Sequence, residues 1–442
     1  MIIVISYSIR HFNRAVILLS TVIVLSGCVP NNPYPPSEWG QNVYYSTFDA
    51  EPKHLDPAIS YSSDEYYFLG QIYEPPLTYH YLKRPFELIP LTAECVPSPS
   101  YFDARGNPLP TNASEEAVAL AVYEVRIKPG IMYQEHPCFA KDESGRFLYH
   151  NLSEANMDGI YEIRHFSKTG TRELTAADYV YQIKRLADPT LHCPILSTLE
   201  HYILGMREYA EALKKALEAE RERRRKLAGA AYNQELDERN NPIRLDMDAH
   251  PFDGVQLVDR YTYRVVLSRK YPQIIYWLAM PFFSPMPWEA VEFYSQGVLR
   301  DRNITLDRFP IGTGAYRIDV YDPHKEIVLT RNENFREDYY PSEGEPTDEA
   351  RGLLQDAGKR VPFVDKAIYK LEREFIPRWN KFLQGYYDSS GISSDTFDRA
   401  IQFSDQGDRE ASQMLRDRNI RLLISVLPIT SYLGFNMLDN VV

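Results

Sequence analysis

Positive charge, cysteine and long apolar runs are all scarce in this sequence. Its 442 residues carry 49 Lys and Arg against 61 Asp and Glu, a formal charge of −12. This balance argues against a nucleic-acid partner, because phosphate binding needs a basic surface. A chain of 442 residues with four cysteines is not a small scaffold stapled by disulfides. The apolar run at 15–25 has about 11 residues, short of the roughly 20 that span a bilayer, so a helical membrane anchor is not predicted.

Signatures of catalysis are also missing. The sequence contains no G-x-S-x-G elbow, no H-E-x-x-H pair and no G-x-x-x-x-G-K-[ST] loop. Gly312 and Gly314 suggest a dinucleotide fingerprint, but the third glycine is absent and a strand, not a helix, is predicted to follow. Asp and Glu are so numerous that a catalytic carboxylate pair cannot be identified without knowing the distances between them. We therefore predict a protein that is not an enzyme and that uses no cofactor.

Three cysteines follow the N-terminal segment. An odd count in an oxidising compartment predicts one disulfide and one buried thiol among Cys95, Cys138 and Cys193. His136 lies near Cys138 and His192 precedes Cys193, but neither arrangement has the paired spacing that completes a tetrahedral metal site. No metal site is predicted.

The N-terminal segment has the layout of an export signal. Two arginines precede the apolar run at 15–25, and Leu25-Ser26-Gly27-Cys28 then resembles the bacterial lipobox, in which the cysteine is acylated. We expect residues 1–27 to be a lipoprotein signal peptide, Cys28 to carry the lipid, and the Pro- and Asn-rich residues 28–41 to form a tether. The alternative is an ordinary secretory signal with an incidental cysteine.

The remainder of the chain has the composition of a folded protein, with 44% hydrophobic and 25% charged residues. Strands are predicted at 42–50 and 119–128, and helices at 62–79 and at 175–187, where Thr175 is the expected N-cap. Strands and helices alternate over long range, which indicates an α/β fold. The 33 Tyr, 20 Phe and 4 Trp suit ligand pockets but also ordinary cores, so composition identifies no contact residue.

A long charged helix is predicted from Met206 to Leu227. Glu211 and Lys215 have the favourable acid-first spacing, and similar pairs follow. The helix has little apolar face, and its basic cluster at 223–226 is interleaved with acids, so we interpret it as a solvated face.

The order of several segments along the chain resembles the family 5 extracellular solute-binding proteins, which are the oligopeptide- and dipeptide-binding components of ABC importers. Each segment alone is weakly specific, but the ordered set is specific and covers nearly everything after the tether. The segments are Leu55-Asp56-Pro57, QIYEPPL at 71–77, YEVRIKPG at 123–130, LTAADYVYQIKRLADP at 174–189, SPMP at 284–287 and GTGAY at 312–316.

The resemblance implies a periplasmic-binding-protein-like α/β fold of type II, with a mixed sheet and the extra domain of the peptide-binding class. The second lobe is expected to be missing, with weak or absent binding as a consequence. The implied divisions are first-lobe core at 42–75, the extra domain at 76–287 with a charged helical insertion at 206–228, first-lobe core again at 288–430, and the start of the crossing to the second lobe at 431–442.

The resemblance also implies ligand-lining positions. They are Tyr61, Ser62 and Ser63 after the Leu55-Asp56-Pro57 turn; Ile195; Met280 and Phe282; Ser389, Ser390 and Gly391; and Tyr432 and Asn436. For each of them a cap, turn or packing role remains an alternative; Ser62, for example, is a fair N-cap.

The implied function is capture of short peptides in the periplasm, by a monomer anchored to the membrane through Cys28, for delivery to an ABC permease and its ATPase. One alternative is a binding protein for another solute, such as a metal chelate, an opine or an antimicrobial peptide. Others are an envelope lipoprotein hydrolase and a structural envelope lipoprotein that docks through its charged helix.

Overall fold

The structure, a computed structural model, describes residues 34–424 and 430–435. It divides into two compact units, with the boundary between Arg373 and Glu374. This boundary lies inside the segment 288–430 that the resemblance assigns to the first lobe.

The described residues contain fifteen strands. They are β1 (Val43–Phe48), β2 (Leu77–Tyr79), β3 (Leu88–Pro90), β4 (Pro99–Phe102), β5 (Pro108–Leu109), β6 (Leu120–Arg126), β7 (Val255–Leu257), β8 (Thr262–Leu267), β9 (Tyr316–Asp322), β10 (Glu326–Arg331), β11 (Asp338–Tyr339), β12 (Arg360–Val361), β13 (Lys366–Leu371), β14 (Ile401–Phe403) and β15 (Arg409–Ala411).

The α-helices of the same residues are α1 (Ser63–Ile72), α2 (Ala176–Arg185), α3 (Leu196–Leu199), α4 (Met206–Ala228), α5 (Gln234–Asn240), α6 (Ile274–Trp277), α7 (Trp288–Tyr294), α8 (Gly297–Arg300), α9 (Phe375–Leu383), α10 (Phe397–Ala400) and α11 (Gln413–Arg416). Short 3-10 helices lie at Pro36–Glu38, Glu115–Ala117, Pro137–Phe139, Glu154–Met157, Ile163–His165, Gly229–Ala231, Pro281–Phe283 and Ser394–Thr396.

Two sheets organise the unit at 34–373. The first has the strand order β1-β13-β10-β9, in which β1 runs parallel to β13 and the other neighbours are antiparallel. The second is antiparallel, in the order β5-β4-β6-β8-β7. The predicted α/β class with a mixed sheet is therefore confirmed. The unit from Glu374 onward contains the β14–β15 hairpin and a small core around Trp379 and Leu415.

The GTGAY segment at 312–316 packs against the QIYEPPL segment at 71–77. Gly314 N–H donates to the Ile72 carbonyl at 2.8 Å, and the Thr313 hydroxyl donates to Glu74 at 2.9 Å. A Cβ on Gly312 would lie 1.9 Å from the Ile72 oxygen. Glycine is needed here for this close approach of two backbones, which explains Gly312 and Gly314 without a nucleotide.

Helix α2 begins as the sequence predicts. Thr175 and Asp178 form a capping box, in which the Asp178 carboxylate accepts the Thr175 N–H at 2.9 Å. The same carboxylate pairs with Arg172, whose guanidinium also binds Glu289 of α7 in a bidentate pair, with both N–O distances 2.7 Å. Both carboxylates are buried, so one cation fixes the start of α2 against α7.

Helix α4 differs from the sequence interpretation in its first half. Met206, Tyr209, Leu213 and Leu217 are buried and form an apolar stripe at helical spacing. The second half is held by charge instead, since Arg221 makes a bidentate pair with Glu238 of α5. The prediction of little apolar face was wrong for residues 206–217, because the alternating charges mask a stripe of one residue per turn.

The predicted disulfide is also wrong in this structure. Cys95, Cys138 and Cys193 are all free thiols. Cys138 lies fully buried in the core whereas Cys95 is exposed to solvent, so these two occupy different surroundings. Burial raises the pKa of Cys193 to about 11, which keeps this thiol protonated and unreactive at neutral pH.

Candidate ligand-binding site

The loop that precedes α1 presents Tyr61 to solvent. The side chain of Tyr61 is 75% exposed. The buried side chain of Glu65 stabilises this loop. Its two carboxylate oxygens accept hydrogen bonds from the backbone N–H groups of Lys53, His54, Tyr61 and Ser62 and from the hydroxyl of Ser60.

Ser62 and Ser63 lie at the start of α1, and both are exposed. Ser62 is the N-cap: its hydroxyl accepts the N–H of Asp64 at 3.1 Å, and the capping box with Glu65 is complete. The N-cap role therefore accounts for Ser62, and the capping contacts do not involve the hydroxyl of Ser63.

A second segment, at 280–284, lies beside this loop. Met280 is 37% exposed, whereas Phe282 is buried. The ring centroids of Tyr61 and Phe282 are 6.4 Å apart with the planes tilted by 45°, which is within the range of a favourable aromatic pair. The fold thus brings together two of the segments that the sequence identified separately.

A series of buried, hydrogen-bonded side chains connects these two segments. Asp56, at the start of the loop, pairs with Arg185 of α2 at 2.6 Å. Arg185 donates to the side-chain oxygen of Gln182 at 2.8 Å, and the side-chain nitrogen of Gln182 donates to the Phe282 carbonyl at 3.0 Å. All three of these polar side chains are buried. The loop before α1 and the 280–284 segment are therefore both hydrogen-bonded to side chains of α2.

The structure places the other predicted residues elsewhere. Ile195 is 3% exposed and belongs to the hydrophobic core of the 34–373 unit, so its side chain offers little surface to a ligand. Ser389, Ser390 and Gly391 lie in the unit that starts at Glu374, where the Ser390 hydroxyl donates to the Gly391 carbonyl at 3.1 Å.

The remaining predicted positions lie near the ends of the chain. Tyr432 is 90% exposed. Asn436 and Cys28 fall outside the described residues.

Two cavities in the 34–373 unit lie away from Tyr61. One, of about 560 Å³, is lined by Arg331, Phe335, Arg360 and Phe363 among others, and one of about 290 Å³ lies beside it. Neither is lined by the loop before α1 or by the 280–284 segment. Because Tyr61 and Met280 are exposed to solvent, the candidate site is an open face.

Two further observations concern the described part of the chain. No group of three or more His, Cys, Asp or Glu side chains converges there as a metal site would require. No helix in residues 34–424 or 430–435 combines the length and the apolar character needed to cross a bilayer.

Sequence reasoning missed the supporting residues Glu65, Gln182 and Arg185. Asp56 and Arg185 both occur inside segments of the sequence pattern, but they are 129 positions apart. Helical spacing predicts that Gln182 and Arg185 share a face; it does not predict what that face contacts. Only the tertiary structure reveals these partners.

Acidification is expected to loosen the loop before α1. Burial by itself would raise the pKa of Glu65, but the hydrogen bonds from Ser60, His54, Ser62 and Tyr61 outweigh it and lower the pKa below the ordinary value. The Glu65 carboxylate therefore stabilises the fold above the pKa of the unfolded chain, roughly 4.3, and this contribution is lost as the pH falls through the folded value.

Replacing Glu65 with Gln tests this expectation. We expect the free energy of unfolding at pH 7 to fall by about 2 kcal/mol, because an amide turns one acceptor oxygen into a donor facing N–H groups. The deficit relative to wild type should shrink towards pH 3. Urea unfolding at several pH values measures both effects, with the exposed Glu135→Gln variant as control. A deficit that does not depend on pH would contradict this role for the carboxylate.

Comparison with known proteins gives the family. The sequence profile of the bacterial extracellular solute-binding proteins, family 5 middle region, matches residues 168–441, which is more than half of the chain. The chain belongs to this family. The periplasmic oligopeptide-binding protein OppA of Salmonella typhimurium strain LT2 is 25% identical over 263 residues, covering 56% of this chain and 39% of that protein.

Solved structures of peptide-binding proteins also align with this chain. Listeria monocytogenes OppA bound to peptide aligns with a TM-score of 0.47 and 12% identity, over 80% of this chain and 47% of that one. The Escherichia coli murein tripeptide binding protein MppA aligns with a TM-score of 0.47 and 15% identity, over 81% and 48%. The chain thus spans less than half the length of these relatives.

Proposed function

We propose that this protein is the substrate-binding component of an ABC importer and captures short peptides. Membership of the solute-binding family supports a role in binding rather than catalysis. The observation that carries the proposal is the pair of exposed side chains Tyr61 and Met280. Their two segments are connected by the buried contacts that run from Asp56 to Phe282.

The proposed mode of binding follows from these groups. The ring of Tyr61 and the thioether of Met280 offer flat and adaptable apolar contacts to side chains of varied shape. A peptide in extended form supplies its own backbone donors and acceptors, so affinity does not require a single sequence. In hinged binding proteins, closure of a second lobe over the peptide completes the capture and creates the form that the permease recognises. The face described here supplies one side of such a site, so we expect it to bind peptide weakly.

Replacement of Tyr61 with Ala is the first test of peptide binding. Calorimetric titration of the full chain with tri- to pentapeptides should show affinity falling about tenfold in the variant, which corresponds to about 1.4 kcal/mol of lost aromatic contact. Tyr161 is a matched control, since it is 68% exposed and also has one neighbouring ring, that of His165. Tyr161→Ala should bind peptides as wild type does.

Two outcomes would contradict the proposal. The first is wild-type protein that binds no peptide from the set. The second is an equal loss of affinity in the Tyr61 and Tyr161 variants, which would remove the assignment of the site to the loop before α1.

We further propose that the protein is a periplasmic lipoprotein that works as a monomer and is anchored through Cys28. The lipobox-like Leu25-Ser26-Gly27-Cys28 sequence supports this. The Cys28→Ser variant should move from the membrane fraction to the soluble periplasmic fraction and should lose incorporation of labelled palmitate. Unchanged fractionation of the variant would contradict the anchor.

A further inference from the structure

Gln182 is placed to control the geometry of the candidate site without facing solvent. It is fully buried on α2, one turn before Arg185. Both ends of its amide are engaged: the oxygen accepts from Arg185 at 2.8 Å, and the nitrogen donates to the Phe282 carbonyl at 3.0 Å. No other side chain among the described residues donates a hydrogen bond to that carbonyl.

Arg185 connects Gln182 to the loop before α1. Its guanidinium binds both carboxylate oxygens of Asp56, at 3.2 and 2.6 Å. Asp56 in turn shapes the turn that leads to Tyr61: its carbonyl accepts the N–H groups of Ile59 and Ser60, and its carboxylate accepts that of Ala58. A shift of α2 would therefore move both segments.

The chemistry of this chain of contacts indicates a geometric role. A buried ion pair adds little net stability compared with apolar residues of similar volume, because desolvation offsets the attraction. Its directional hydrogen bonds do fix distances and angles, which apolar packing fixes less tightly. We therefore explain the buried side chains of Asp56, Arg185 and Gln182 by their effect on geometry: they fix the positions of the loop before α1 and of the 280–284 segment.

We propose that Gln182 and Arg185 are positioning residues that set the spacing between Tyr61 and the 280–284 segment, and thereby the width of the peptide site. This inference rests on the proposed function for its consequence in binding. The spacing itself is a property of the ligand-free protein, so it can be tested separately.

The test combines a spectroscopic reporter with peptide titration. Tyr61→Trp introduces an indole whose emission reports on its contact with Phe282, and the difference from the parent spectrum removes the signal of the other tryptophans. Gln182→Met removes both hydrogen bonds at similar volume. Gln182→Glu keeps an acceptor for Arg185 but replaces the donor to Phe282 with a carboxylate oxygen and adds a negative charge, so it breaks the link to the 280–284 segment while retaining the one to Arg185.

Gln134 provides a matched control. It is also a buried glutamine that bridges two segments, since its amide donates to the Pro310 carbonyl at 3.4 Å and accepts the Gly312 N–H at 3.3 Å. Gln134→Met should lower stability in the same way as Gln182→Met while leaving the geometry around Tyr61 unchanged.

The expected result is a shift of the reporter emission, in intensity or in maximum, in both Gln182 variants and none in the Gln134 variant. On the parent background, peptide affinity should fall about tenfold in both Gln182 variants and remain at the wild-type value in Gln134→Met. If Gln182→Met does not fold, Gln182→Glu alone decides the outcome.

An unchanged reporter spectrum in folded Gln182 variants would overturn the inference, as would an equal shift in the Gln134 variant. Failure of the proposed function has a different signature. In that case wild-type protein binds no peptide, while the reporter still shifts in the Gln182 variants.

Discussion

Replacing Arg172 with Met should lower the free energy of unfolding by about 3–5 kcal/mol, the usual loss when one partner of a buried charge network is removed. Arg172 is the shared cation of Asp178 and Glu289, whose side chains are only 4% and 6% exposed. Its guanidinium also lies over the rings of Tyr133 and Phe139. The variant leaves two buried carboxylates without a cation, and urea unfolding measures the loss.

The pH dependence of the Arg172 variant distinguishes this cause from lost packing. Burial raises the pKa of Asp178, and Arg172 works against that effect. Without the arginine the pKa rises further, so the folded variant binds more protons than the unfolded chain. Its free energy of unfolding should therefore increase as the pH falls from neutral towards 5.

The control for Arg172 is an exposed arginine. Arg264 pairs with Glu124 across two strands, and both side chains are more than 40% exposed. Arg264→Met should change the free energy of unfolding by less than about 1 kcal/mol. Similar losses in both variants, or no pH dependence in Arg172→Met, would contradict the account of the buried network.

Replacing Gly312 with Ala is expected to destabilise the fold by more than about 3 kcal/mol, because one methyl group would overlap a backbone oxygen. The Cβ would lie 1.9 Å from the Ile72 carbonyl oxygen. Neither partner is the flexible end of a side chain, so relief requires the 312–314 segment to move away from α1. This movement would also break the hydrogen bond from Gly314 to Ile72.

Gly70 lies on α1, the helix that ends at Ile72, and supplies the control for Gly312. A Cβ at Gly70 would meet only ring atoms of Tyr66, at 3.4 Å or more, which is ordinary contact. Gly70→Ala should therefore raise stability by about 0.5–1 kcal/mol through helix propensity. Thermal unfolding of both variants measures this contrast. A mild effect of Gly312→Ala would contradict the close approach of the two segments.

Local elements of the fold could be predicted from the sequence, because their signals are short in range. The strand expected at 42–50 is β1 and that at 119–128 is β6, while the helix expected at 175–187 is α2 with Thr175 as its cap. Each depends on periodicity and capping within about ten residues. The stripe in α4 was missed because alternating charge hides one apolar residue per turn.

The supporting structure of the candidate site could not be predicted, because its partners are remote in sequence. The pair of Asp56 and Arg185 joins residues 129 positions apart, and Gln182 reaches Phe282 across 100 positions. The family pattern identified Tyr61, Met280 and Phe282 one by one. It gave no information on which of them the fold would bring into contact, or on the burial of Ile195.

The central claim is that a peptide binds on the face formed by the loop before α1 and the segment at 280–284. Photo-cross-linking tests this most directly, with a peptide that carries a benzophenone side chain and with mapping of the attachment sites by mass spectrometry. The account predicts attachment within 61–63 and 280–282 that excess unlabelled peptide suppresses. Attachment confined to other segments, or attachment that competitor does not suppress, would contradict it.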